Sequence, residues 1–157
     1  MFSTIHGTVG AIIGKTTGNV FLGFAGGILA HYIFDAIPHG DEKLIAISGQ
    51  PTPREIKKIG LIAVLDAIMM LIILGLLAYL GKIPADWVIA FSVLGGLLPD
   101  IDNAFYLLLR QPKILKSHFD LHFKMHSLLQ KYELTLVQGV ILQLLIEAGM
   151  IGIIFLI

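Results

Sequence analysis

The sequence predicts an all-α fold, a polytopic helical membrane protein with about four to five membrane helices and one interfacial amphipathic helix. Three observations predict it. Hydrophobic residues make up 56% of the chain and charged residues only 14%, well under the charge of a soluble domain. Apolar runs recur at the length a helix needs to cross a bilayer core, about 20 residues. The breaks between runs carry Gly, Pro and Asn, the residues that stop helices and turn chains. The length suits one domain over residues 1–157. The formal net charge is zero, which argues against nucleic acid as a partner. There is no cysteine, hence no disulfide and no thiolate metal site.

The elements follow in order. Residues 2–14 are apolar but too short to cross alone, and read as a half-span or a thin-membrane helix. The N-terminus has no basic region before them, so no cleavable signal peptide is expected. Lys15-Thr-Thr-Gly-Asn19 turns the chain into a run over residues 20–37 that is almost long enough to span. Residues 40–53 are polar, carry two prolines, and read as a surface connection. Residues 59–80 make a clear span interrupted by Asp66. Gly81-Lys-Ile-Pro84 stops it, and Asp86 is placed to cap the next helix. Residues 87–109 are long enough to span but are cut by Pro99-Asp-Ile-Asp102. In residues 112–131, Ile114, Leu115, Phe119, Phe123 and Leu128 alternate with lysines, the pattern of a helix lying in the membrane interface. Residues 134–157 form the last span, with Glu147 inside.

Lys and Arg set the orientation. Lys43, Arg54, Lys57, Lys58, Arg110, Lys113, Lys116, Lys124 and Lys131 lie on one set of loops; the opposite turns carry Lys15 and Lys82. The positive-inside rule makes the rich side and the N-terminus cytoplasmic, the C-terminus external, and the inner (cell) membrane the expected location.

Depth is the informative quantity. At the helical rise of about 1.5 Å per residue, His6 and His31 lie roughly 16–18 Å from the turn at Lys15–Asn19, on opposite arms of one hairpin. Asp35 is one turn beyond His31 on the same helix face. Asp66 and Asp100 each lie roughly 21 Å from the turn near Gly81. Both turns are on the charge-poor side, so His6, His31, Asp35, Asp66 and Asp100 share one layer toward the basic face, and His126 returns to that face. Gly10 and Gly14, and Gly23 and Gly27, have the spacing that lets helix backbones touch.

An Asp at a helix centre costs about 2.5–3.5 kcal/mol on the insertion scale, and a divalent cation offsets that while holding neutral imidazoles. His6, His31, Asp35, Asp100 and His126 are therefore candidate ligands, with Asp102 and His122 as further candidates. Each has a plainer reading. His31 and Asp35 make an ordinary i,i+4 ion pair on a soluble helix. Asp100 or Asp102 caps a helix restarted after Pro99. His118, His122 and His126 form one stripe that suits a solvated face. Pro38-His-Gly-Asp41 reads equally as a stop and turn or as part of the site. Asp66, with no local partner, is the candidate general base or bridging ligand. Glu147, roughly 22 Å along the last span from the basic side, is expected near the far face as a surface or oligomer contact.

These residues resemble a known pattern. His6-Gly, His31-x-x-x-Asp35 followed by Ile37-Pro-His-Gly-Asp41, Gly95-Gly-Leu-Leu-Pro-Asp-Ile-Asp102, and His122-x-x-x-His126-Ser127-Leu128 together are similar to the YdjM-like membrane-bound metal-dependent hydrolases. A looser similarity runs to zinc-dependent phospholipase C, through the H-x-x-x-D pair. Phe123 stands where the YdjM-like pattern has Arg, Met125 precedes His126, and the histidine spacing is one shorter. The resemblance implies a hydrolase and leaves its substrate open.

Three expectations follow. The first is a hydrolase whose zinc, manganese or iron activates water against a phosphoester or ester of a lipid or lipid-linked substrate. Arg54, Lys57 and Lys58 would then lie at the headgroup layer. The second is a divalent-cation transporter, which needs its site near the midplane. The third is a non-catalytic scaffold with a structural metal, every coordination position being filled by protein.

Overall fold

The computed structural model describes residues 1–40, 53–109, 112–129 and 134–157, and every regular element among them is helical. They are α1 (Ser3–Thr17), α2 (Val20–Asp35), α3 (Pro53–Tyr79), α4 (Trp87–Leu108), a 3-10 turn (Lys113–Leu115), α5 (Lys116–His126) and α6 (Leu136–Leu156).

Local chemistry sets the ends. Gly18 closes α1 at φ 58°, a left-handed position that glycine adopts without strain. Asn19 caps α2 by accepting from the backbone of Phe21 and Leu22. Asp86 caps α4 by accepting from the Ile89 N–H at 3.0 Å, the role its position after Pro84 predicts. Pro53 opens α3, where a missing N–H leaves nothing unsatisfied. Thr135 and Gln138 open α6 with a reciprocal capping box.

Among the described residues three helices are long and apolar enough to cross a membrane: Ile56–Tyr79 within α3, α4, and α6. Their outer faces are apolar and exposed, for example Leu61, Val64, Leu65 and Ile68 on α3 and Val137, Ile141, Leu144 and Leu145 on α6. Apolar surface of that extent belongs in the acyl layer. α2 is apolar but shorter.

α1 is the central element and packs on α2, α3, α4 and α6. That explains how a helix with Thr4, His6 and Thr8 in its first turns lies wholly inside the bundle: residues 4–11 are all buried. Two apolar clusters hold it. One joins Met1, Ile5, Val9, Ala30 and Met150; the other joins Ala11, Leu77, Ile83, Ile89 and Ile154. The two glycine pairs of α1 and α2 converge on a third partner, Ser92 of α4: a Cβ on Gly10 or Gly27 would stand 2.6 or 2.5 Å from the Ser92 carbonyl. At the opposite end Lys15 Nζ donates to the carbonyls of Lys82 at 2.6 Å and Ile154 at 3.1 Å. The two hairpin turns and the end of α6 therefore lie together, as the shared depth reference requires.

The sequence suggests a helix break at Pro99, yet α4 runs through it. The ring crowds and unpairs the carbonyls of the preceding turn. The carbonyl four residues back from the ring is that of Gly95, and the next one, of Gly96, accepts from His31 Nδ1 on α2.

Candidate metal centre

Asp35 ends α2 and is 1% exposed. Its two oxygens face different partners. Oδ1 lies 3.0 Å from His6 Nε2 and 2.9 Å from the Met1 nitrogen. Oδ2 lies 2.9 Å from His31 Nε2, 3.1 Å from His122 Nε2 and 3.0 Å from His126 Nε2. Asp100 Oδ1 stands further off, 3.8 Å from His31 Nε2 and 3.7 Å from His122 Nε2.

The proton positions are constrained by the carbonyls behind the rings. His31 Nδ1 donates to Gly96 O at 2.7 Å, and His39 Nδ1 donates to Ile37 O at 2.7 Å. In the neutral imidazole the opposite nitrogen, Nε2, then carries a lone pair. His31 Nε2 and Asp35 Oδ2, although 2.9 Å apart, make no hydrogen bond to each other or to any other group. The unpaired His31 Nε2 and Asp35 Oδ2, with His122 Nε2 and His126 Nε2 beside them, are what a ligand shell for a cation consists of; His39 Nε2 accepts from the Met1 nitrogen at 2.9 Å. An imidazole whose second nitrogen donates to a carbonyl is the usual orientation device at such a centre. Burial also holds the His126 imidazole below its ordinary pKa, in the neutral form that ligation requires.

Two groups of ligand atoms lie within 4.8 Å of one another: His31, Asp35, Asp100 and His122; and Asp35, His39 and His126. Either could hold a metal ion, and Asp35 belongs to both. Four elements supply them: α2, the segment after it, α4 past Pro99, and α5. His122 and His126 are i,i+4 on α5, with rings stacked at 4.7 Å.

Other residues take different places. His6, expected as a ligand, is in neither group; it holds Asp35 from behind through Oδ1, and its ring stacks on His31 at 3.9 Å. Asp66, expected as a catalytic base, receives the Ser3 and Thr4 N–H groups and the Thr4 hydroxyl, the last in a very short contact. It thus caps the buried start of α1 from α3, where free backbone donors and the helix dipole both favour a carboxylate. Asp102 lies 3.7 Å from His118 Nδ1 at the exposed rim and also belongs to neither group. Glu147, expected as a surface residue near the far face, is 8% exposed and bonded to Thr8. Glu147 lies near the middle of α6, and its side chain is turned to Thr8 of α1. Asp41, Lys43, Arg110 and Lys131 lie outside the described residues.

His39 belongs to the second group although its sequence context reads as well as a plain turn. Gln143 left no signal: its Oε1 accepts from Phe2 N at 2.8 Å and its Nε2 donates to His39 O at 3.1 Å, clamping the segment that carries His39. One turn earlier on α6, a Cβ on Gly139 would collide with the His39 carbonyl and come within 2.8 Å of Gly40 Cα. Gly139→Ala is therefore expected to displace His39 and weaken binding in the Asp35–His39–His126 group, while the His31–Asp35–Asp100–His122 group persists. Titration with metal, followed by elemental analysis, checks this.

Compared with models of known protein families, with curated proteins and with solved structures, the chain matches none.

Proposed function

We propose that the chain is a membrane-embedded metal-dependent hydrolase, acting at the cytoplasmic interface on a phosphoester or ester of a lipid or lipid-linked substrate. Asp35 Oδ2 carries the reading: three imidazole nitrogens stand within 3.1 Å of it, yet it accepts no hydrogen bond. A divalent ion bound there supplies Lewis acidity and makes water nucleophilic near neutral pH. Histidine and carboxylate donors suit zinc, with manganese or iron as alternatives. Two ions sharing Asp35 fit the two groups.

In this reading His31 and His39 keep their Nδ1 protons on backbone carbonyls; His31 offers Nε2, and His39 Nε2 would exchange the Met1 nitrogen, 2.9 Å away, for the ion. His6 holds Asp35 so that Oδ2 points inward. Asp100, the carboxylate of the first group that reaches solvent at 35% exposure, is placed to serve both as ligand and for proton handling, whereas Asp66 is taken up by α1. α5 presents Ile114 before it, then Leu121, Phe123 and Leu128, to solvent beside Lys113, Lys116 and Lys124, a composition that suits a helix in the headgroup layer. A site closed by such a helix is open to lipid headgroups. Counting α1 and α2 with the three longer helices would make a membrane domain of five helices, with the basic loops and N-terminus cytoplasmic. The likeness to the YdjM-like hydrolases belongs to the same proposal.

The test is turnover by the purified chain on phosphodiester and carboxylic-ester lipids in mixed micelles, beside elemental analysis. Stoichiometric metal is expected, with hydrolysis lost to a chelator and restored by zinc. Asp100→Ala is expected to lower turnover by at least about tenfold, the scale of disturbing a metal's supporting groups. Metal uptake into proteoliposomes without turnover would instead make the chain a divalent-cation transporter, and bound metal with neither activity would make it a scaffold.

A further inference from the structure

α1 makes a second buried polar contact, with α6 and away from the metal ligands. The Thr8 hydroxyl donates to Glu147 Oε1 at 2.8 Å. Glu147 lies near the middle of α6 (Leu136–Leu156) and is more than nine-tenths buried, at 8% exposure. Its other oxygen, Oε2, is buried and has no hydrogen-bond partner. Among the described residues no cation pairs with it, and Asp66 of α3 is engaged by Ser3 and Thr4. Oε2 is thus an acceptor in the interior of a membrane helix with nothing to accept.

An intramembrane carboxylate in that position requires neutralisation. The donors at hand decide by what. One carboxylate leaves a calcium or magnesium ion with an uncompensated charge in the membrane interior, and among the described residues no metal-ligating group includes Glu147. A proton needs only the carboxyl. A sodium ion is matched in charge by the one carboxylate, and would take the Thr8 oxygen and waters to complete its shell. We propose that Glu147 and Thr8 form a binding site for a small monovalent cation, a proton or a sodium ion, separate from the metal centre. Thr8 and Thr4 lie one turn apart on one face of α1, so this site and the Asp66 cap flank the same stripe of the central helix. Gln143, which clamps His39, is one turn before Glu147 on α6. The site therefore sits directly beneath the support of the second ligand group.

The full chain in detergent micelles is treated with dicyclohexylcarbodiimide, an apolar reagent that adds to a carboxylic acid, in sodium-free buffer, and the adduct is located by peptide mass spectrometry. Infrared spectra of wild type and Glu147→Gln are compared in parallel. Glu147→Gln keeps the shape and the acceptor for Thr8. An adduct at Glu147, absent from Glu147→Gln, is expected, with metal content the same in both. Suppression of the adduct by sodium chloride, but not by potassium chloride, identifies sodium. An adduct indifferent to sodium, with a protonated-carboxyl C=O band present in wild type and lost in Glu147→Gln, identifies the proton. Absence of the adduct in wild type, together with identical infrared carboxyl regions in the two proteins with and without sodium, overturns the proposal. Neither result bears on metal binding by Asp35.

Discussion

Asp35→Asn is expected to reduce bound metal from stoichiometric to background in both ligand groups at once, because Asp35 is the residue the two groups share. Asparagine has nearly the same shape, so the change removes charge and a ligand oxygen without opening a cavity. The acceptor that faces His6 and the Met1 nitrogen survives as the amide oxygen. The helices are therefore expected to form, which circular dichroism checks, while elemental analysis reads the metal. Two further variants give the effect its shape. Asp100→Asn touches one group only, so the metal held by Asp35, His39 and His126 is expected to remain. His6→Ala removes a support behind Asp35 and no ligand, and is expected to weaken affinity about 10–100-fold, the usual cost of losing an outer-shell partner. Wild-type metal content in Asp35→Asn would remove the basis of the centre. Equal losses in Asp35→Asn and Asp100→Asn would mean one ion, not two.

Depth along a helix was legible in the sequence; direction around it was not. Counting from the hairpin turns puts His6, His31, Asp35, Asp66 and Asp100 in one layer, and they are in one layer: Met1 reaches Asp35 while Ser3, two residues on, reaches Asp66. Which of them share ligand atoms depends on azimuth, and azimuth is set by packing. Asp66 points from α3 to the start of α1, because α3 packs on α1. His6 shares the layer and stacks on His31, but it meets Asp35 through Oδ1, while His31, His122 and His126 face Oδ2. The α5 histidines were legible as a stripe, since an i,i+4 repeat fixes direction as well as position. His39 was ambiguous because α2 ends at Asp35 and helical periodicity says nothing beyond it. Pro99 misled for a physical reason. A proline is read as a stop on its intrahelical cost alone, and here one of the carbonyls in the turn it disturbs is taken up by His31.

Gly95→Ala is expected to damage the fold and the centre together, while Gly60→Ala does neither. A Cβ on Gly95 would overlap the Phe24 carbonyl of α2, and one on its neighbour Gly96 would overlap the His6 carbonyl of α1. These obstacles are backbone, not flexible side-chain ends, so relief requires helices to move apart. Overpacking of this kind costs about 1–3 kcal/mol, occasionally more. Gly60, on the outer face of α3, has nothing within 4 Å of its Cβ position, so alanine there meets no obstacle. It gains the helix preference of alanine over glycine, about 1 kcal/mol. The two substitutions are chemically identical and are expected to shift thermal stability in opposite directions, as read by melting the detergent-solubilised chain. The centre makes the contrast sharper. His31 Nδ1 is held by Gly96 O, one residue along α4, so separating α2 from α4 frees the ring that presents Nε2 to Asp35. Metal affinity in Gly95→Ala is therefore expected to fall even at temperatures where the chain remains helical, and affinity in Gly60→Ala to stay at the wild-type value. A Gly95→Ala protein that loses stability but binds metal normally would show that the α2–α4 contact supports the bundle without orienting His31.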